Sequence, residues 1–90
     1  MNIDEILTER EKTHGDFGEH AEITQALKTY MHTHHRSVLY PYQAEALDMI
    51  AHKIGRILAG DPNVRDHWDD IAGYATLVSQ RLDRGMKSPG

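Results

Sequence analysis

The segment RDHWDDIAGYA, residues 65–75, sets Asp66, Asp69 and Asp70 beside Trp68, the only tryptophan of the chain. At about 100° per residue, Asp66 and Asp70 share a helical stripe with Gly73 and Leu77, and Tyr74 lies at the edge of that stripe toward the core. A stripe that continues to Leu77 is expected to border the interior, so Asp66 and Asp70 are placed at the margin of the fold and Asp69 in solvent. A second set precedes it. In EALDMIAHKIGR, Glu45, Asp48, His52 and Arg56 fall within about 80° of one another, with Lys53 on the flank. Carboxylates from two facing helices suit a hard divalent cation. Mg²⁺ takes oxygen ligands in octahedral geometry and keeps positions open for water and for substrate phosphates.

Each of these residues also has a plain structural reading. Acids in a first turn oppose the helix dipole. A row such as Asp48 and His52 forms weak pairs on a solvated face, and Lys53 and Arg56 can lay their stems along the rim of a core. Two acids at i, i+4 repel, however, so Asp66 with Asp70 calls for a compensating cation.

Four helical segments are predicted to carry these side chains, and no segment reads as a strand. The first is short, about residues 3–11, with Asn2 as N-cap and Glu5 as its capping-box partner. The second starts at Asp16 and runs to about His34, with Ile23, Leu27, Tyr30 and Met31 on its apolar face. Glu19 sits on the stripe of Ile23, Ala26 and Tyr30, which makes it a further candidate acid, although capping with Asp16 accounts for it too. The third covers Pro41–Ala59 with Leu47, Ile50, Ile54 and Leu58 on one face. Gly60 ends it, and Asp61, Pro62 and Asn63 make a turn. The fourth, about Val64 to Asp83, is expected to bury Trp68, Ile71, Ala75, Val78 and Leu82, with Gly85 closing its end.

The expected architecture is therefore all-α, a four-helix antiparallel bundle in a single domain, 1–85, followed by a disordered tail, 86–90. One geometric conflict is visible in advance. Both acidic pairs lie near helix N-termini, which adjacent antiparallel helices place at opposite ends. Either the site sits near the middle of the bundle or a second subunit completes it.

A chain of 90 residues buries only a little over ~60% of its unfolded surface, so a partner copy, giving a homo-oligomer, is expected. No apolar run approaches the roughly 20 residues needed to span a bilayer, which excludes a membrane helix. The start, MNIDEIL, lacks a basic n-region and points to the cytoplasm. Cysteine is absent, which removes thiolate catalysis and Cys-ligated zinc. The net charge of −4 disfavours nucleic acid held by phosphate neutralisation, whereas a small phosphorylated ligand can still bind through a cation. Of the seven histidines, His32, His34 and His35 spread around a helix instead of converging, and read as a polar helix end.

EALDMIAHKIGRIL followed by DHWDDIAGYATL resembles the paired helices of the MazG-like all-α nucleoside triphosphate pyrophosphohydrolases, in which an E-x-x-E segment precedes E-E-x-x-D and a Tyr-containing apolar run. The likeness spans roughly residues 10–82 and is greatest to small phage and prophage proteins of that group, which share THGDF, KIGRIL and DIAGYA. The resemblance implies that Glu45 and Asp48 match the E-x-x-E acids, Asp66 the first glutamate of E-E-x-x-D, and Asp70 its aspartate. His67 stands at the second glutamate, and Asp48 is a shorter acid than the pattern has. By that resemblance Glu45, Asp48 and Asp70 are the catalytic acids, and together with Asp66 they hold Mg²⁺, with Mn²⁺ able to substitute. The metal bridges substrate phosphates and activates the attacking water. Lys53 and Arg56 are candidate phosphate contacts, and Glu19, His52 and Tyr74 are secondary candidates.

The first expectation is thus Mg²⁺-dependent hydrolysis of a nucleoside or deoxynucleoside triphosphate to monophosphate and pyrophosphate, in a phage-encoded protein of the host cytoplasm. The alternatives are a helical oligomer that sequesters a nucleotide or cyclic nucleotide unaltered, and a purely structural interaction module.

Overall fold

A computed structural model describes residues 2–85; the segment 86–90, expected to be a disordered tail, lies outside them. The chain folds into α1 (Ile3–His14), α2 (Phe17–Thr33), α3 (Pro41–Ala59) and α4 (Arg65–Asp83), with no strand among the described residues. Local signals set the ends. The Asn2 side chain accepts from the Glu5 N–H at 2.9 Å, and Asp16 accepts from the Glu19 N–H at 2.9 Å, so each cap satisfies one donor that the helix leaves open. Pro41 occupies the first turn of α3, where its missing N–H costs nothing. Asp61 organises the next turn by accepting from the Asn63 N–H at 2.8 Å. Gly85, with φ of 72°, closes α4 by donating to the Leu82 carbonyl.

α1 is one turn longer than expected, because it runs through Thr13 and His14 and stops at Gly15, whose φ is 79°. A side chain there would strike the backbone at Ala59 and Gly60. The α1–α2 turn therefore lies directly on the C-terminal end of α3, an approach only glycine permits.

α3 is the centre of the molecule. It packs against α2 on one side and α4 on the other, both antiparallel to it, while among the described residues α2 and α4 do not meet. Two flanks of α3 are consequently buried instead of one. Ala46, Lys53 and Ile57 form one flank and Ala51 and Gly55 the other, with all five buried. The expected apolar stripe falls between them. Leu47 and Leu58 remain 38% and 64% exposed, and Ile50 and Ile54 are only partly covered.

The same correction holds on α4, where Trp68 and Leu82 are 53% and 49% exposed and Ala75 is exposed. Ile71 and Val78 are covered as expected, but the rest of the covered face is His67, Tyr74 and Arg81, each one position before the residue expected there. On α2, Tyr30 is exposed and Thr24 is the fully buried residue. Small residues decide this outcome, since Ala46, Ala51 and Gly55 let neighbouring helices come closer than the large aliphatic stripe would allow.

Gly55 is the tightest of these contacts. A β-carbon there would lie 2.5 Å from the Thr24 hydroxyl oxygen and 2.7 Å from His20 Nδ1, whereas one at Gly73 would meet nothing within 4 Å. Gly55→Ala should lower stability by about 1–3 kcal/mol through overpacking, while Gly73→Ala should raise it by up to about 1 kcal/mol through helix propensity. Urea unfolding of the two variants against the parent checks both signs.

Candidate functional site

The segments THGDF, KIGRIL and DHWDDIAGY meet in three dimensions where α1 and α2 join, beside the C-terminal half of α3 and the start of α4. His67, 3% exposed, donates from Nε2 to the Thr13 carbonyl at 3.1 Å, and its ring meets that of His14 edge-on at 5.1 Å. The Thr13 hydroxyl lies 2.6 Å from His14 Nδ1, and the same Thr13 carbonyl receives the Asp61 N–H at 3.5 Å. The turn between α1 and α2 is thus tied to α4 through a buried imidazole. His67 is a structural clamp between α4 and that turn.

Lys53 and Asp70 form the central ion pair. The ammonium lies 2.8 Å from Asp70 Oδ2, with the Lys53 side chain 11% exposed and that of Asp70 48% exposed. A buried ammonium needs such a partner. The hydrogen bond from Lys53 holds the Asp70 carboxyl below its ordinary range, assisted by the charges of Lys53, His67 and Arg56. Asp70 is therefore ionised and oriented while one of its edges still faces solvent.

Arg56 is the charge hub. It acts on His14, His20 and His52 as well as on Asp70. Burial, followed by Arg56, lowers the pKa of His14 and of His20. For His52 burial acts first, followed by Lys28, His20 and Arg56, while Asp48 opposes them. His20 and His52 face each other with ring centroids 5.8 Å apart.

Of the residues singled out in the sequence, Lys53 and Asp70 are brought into contact, and the charge of Arg56 acts on Asp70. Asp48 is not with them, since it turns toward α2 and accepts from His32 Nε2 at 2.9 Å. His52 lies on that same side. Glu45 and Asp66 are exposed, as are Glu19, Gly73 and Leu77, while Tyr74 is partly covered. The stripe expected at the margin of the interior thus faces outward, because α4 is turned to bury His67 and Ile71. Asp70 is engaged only because the long Lys53 side chain reaches out to it. Asp69 pairs with Arg65 at 3.3 Å on the surface, as the helical wheel placed it.

Axial spacing separates the acids further. At about 1.5 Å per residue, Glu45 and Asp48 precede Lys53 along α3 by about 12 and 8 Å, and Asp66 lies about 6 Å from Asp70 in the opposite direction. Within one chain the four acids do not form a ligand set, and among the described residues no three His, Asp or Glu side chains are grouped to hold a metal ion.

The site residues missed in the sequence are His14, His20 and His67, together with Gly15 and Gly55. The high count of seven histidines is the signal the sequence offers, but its densest run, at 32–35, is exposed. His14 and His20 flank the α1–α2 turn, whereas His67 lies far along the chain, and only the packing of α1 and α2 against α3 and α4 collects the three.

Residues 2–82 match the family described as a domain of unknown function, DUF6378. The chain belongs to this family. No curated protein and no solved structure matches it. No helix among the described residues is long and apolar enough to cross a membrane.

Two predictions follow from these electrostatics. His14, His20 and His52 have folded pKa values below the ordinary imidazole value of 6.5, so the unfolded chain binds protons more readily than the folded one. Stability is full above that value and is lost as the pH falls through it. The urea midpoint should fall between about pH 7.5 and about pH 5.5, and replacing the three histidines with glutamine should flatten that slope. For the ion pair, Asp70→Asn leaves the Lys53 charge buried without its partner and should destabilise the fold. Lys53→Met removes that charge and should leave stability equal or higher, as read from paired melting curves.

Proposed function

We propose that the protein hydrolyses nucleoside triphosphates to monophosphate and pyrophosphate, with Mg²⁺, in an assembly of more than one copy. The observation that supports this reading most is the contact of Lys53 with Asp70, on which the charge of Arg56 also acts. A cation suited to phosphate oxygens pairs with a carboxylate that is held ionised and half open to solvent. Lys53 offers a compact point charge and Arg56 a planar fork, complementary ways of holding a phosphate chain. Asp70 is an acceptor that can orient a water at such a chain.

The acids of one chain do not by themselves hold the metal, so the reading requires Glu45 and Asp48 of one copy to approach Asp66 and Asp70 of another. The uncovered Leu47 and Leu58 on α3 and Trp68 on α4 leave apolar surface that a second copy can bury. A phage-encoded enzyme acting on the nucleotide pool of the host cytoplasm fits this chemistry.

One observation favours a second reading. Lys53 already neutralises Asp70, which suits a protein that retains a nucleotide or cyclic nucleotide without cleaving it. Incubating the purified protein with pooled nucleotides and Mg²⁺, and following both pyrophosphate release and retained ligand, separates the two. Hydrolysis predicts pyrophosphate release that falls by about a hundredfold or more in Asp70→Asn. Ligand recovered intact in stoichiometric amount establishes sequestration instead, and the absence of both turnover and retained ligand leaves a structural module.

A further inference from the structure

A cleft of about 420 Å³ lies between α1, the α1–α2 turn and α3. Its volume lies within the roughly 300–1,000 Å³ typical of small-molecule sites. It is distinct from the acids of α3 and α4, and of the site described above it shares Arg56, His14 and His20. Arg10 lines it from α1 and Arg56 from α3, and the charges of both act on His14, which lines the same cleft. Beside them stand Leu7 and Phe17, which are 57% and 80% exposed. An aromatic ring that far uncovered at the mouth of a cleft offers a flat face for stacking.

The charge of the cleft narrows the ligand. Glu11 and Asp16 also line it, and formally balance the two arginines. Asp16 is already engaged in capping α2 through the Glu19 N–H. With no net positive field, the cleft has little long-range attraction for a polyphosphate chain. The two guanidinium forks can still grip one compact oxyanion by charge-assisted hydrogen bonds. His14 and His20, kept toward the neutral form by burial and by Arg56, add polar contacts without adding charge.

We infer that this cleft binds a small aromatic anion, a planar ring against Phe17 and Leu7 carrying one phosphate or carboxylate group held between Arg10 and Arg56. The site requires neither a metal nor Asp70, so it stands whether or not the chain cleaves nucleotides.

Titrations of the intact protein in excess chelator, followed by heteronuclear NMR, test this with naphthyl phosphate, naphthol, inorganic phosphate and inorganic tripolyphosphate. Naphthyl phosphate should bind saturably, shift the resonances of Arg10, Phe17 and His20, and bind more tightly than naphthol, phosphate or tripolyphosphate. Arg10→Gln and Phe17→Ala, both at exposed positions, should each weaken it by about tenfold with the remaining spectrum unchanged. Asp70→Asn should retain it. Absence of saturable binding, equal affinity for phosphate alone, or parent-like binding by both cleft variants overturns the inference. Pyrophosphate release in a protein whose cleft fails this test overturns the cleft alone, while cleft binding without any turnover leaves the inference intact and removes hydrolysis.

Discussion

The close approach of α2 to α3 at Gly55 is the constraint on which the remaining geometry depends. Because position 55 has no side chain, Thr24 and His20 can sit against the α3 backbone, which brings α2 and its N-terminal turn down onto the end of α3. Gly15 makes the matching approach at Ala59 and Gly60. These two contacts bring the α1–α2 turn over α3, and from there His67 can reach the Thr13 carbonyl. A larger residue at either glycine would move the turn outward and open both the histidine cluster and the cleft beside it.

A central helix packed on two flanks has a chemical consequence as well as a mechanical one. Lys53 lies on the flank that faces α4, so its ammonium is withdrawn from water and requires an anion. Asp70 supplies it from the outward side of α4. The same arrangement turns Arg56 toward α1 and the imidazoles, where its charge acts on several titratable groups at once.

The two glycine contacts and the buried ion pair also explain why so small a chain keeps only a thin apolar core, with Ala46, Ala51 and Ile57 as its buried hydrophobic residues. Close helix packing through small side chains gains dispersion contacts but covers few large ones. Leu47, Leu58, Trp68 and Leu77 stay uncovered in the single chain.

Much of the fold was written in the sequence. Asn2, Asp16, Pro41, Gly60 and Gly85 fixed the helix boundaries through capping, ring geometry and backbone freedom, which are local properties that act within a few residues. The all-α class and the pairing of Asp69 with solvent follow from periodicity in the same way. The buried faces of α3 and α4 were not legible, because periodicity identifies an apolar stripe but not how many neighbours a helix will have, and α3 has two. The separation of Glu45 and Asp48 from Asp66 and Asp70 was legible, because both pairs lie near helix N-termini and antiparallel neighbours place these at opposite ends. The cluster of His14, His20 and His67 around Arg56 was decided by tertiary structure alone, since its members come from four helices and meet only where glycines let the backbones touch.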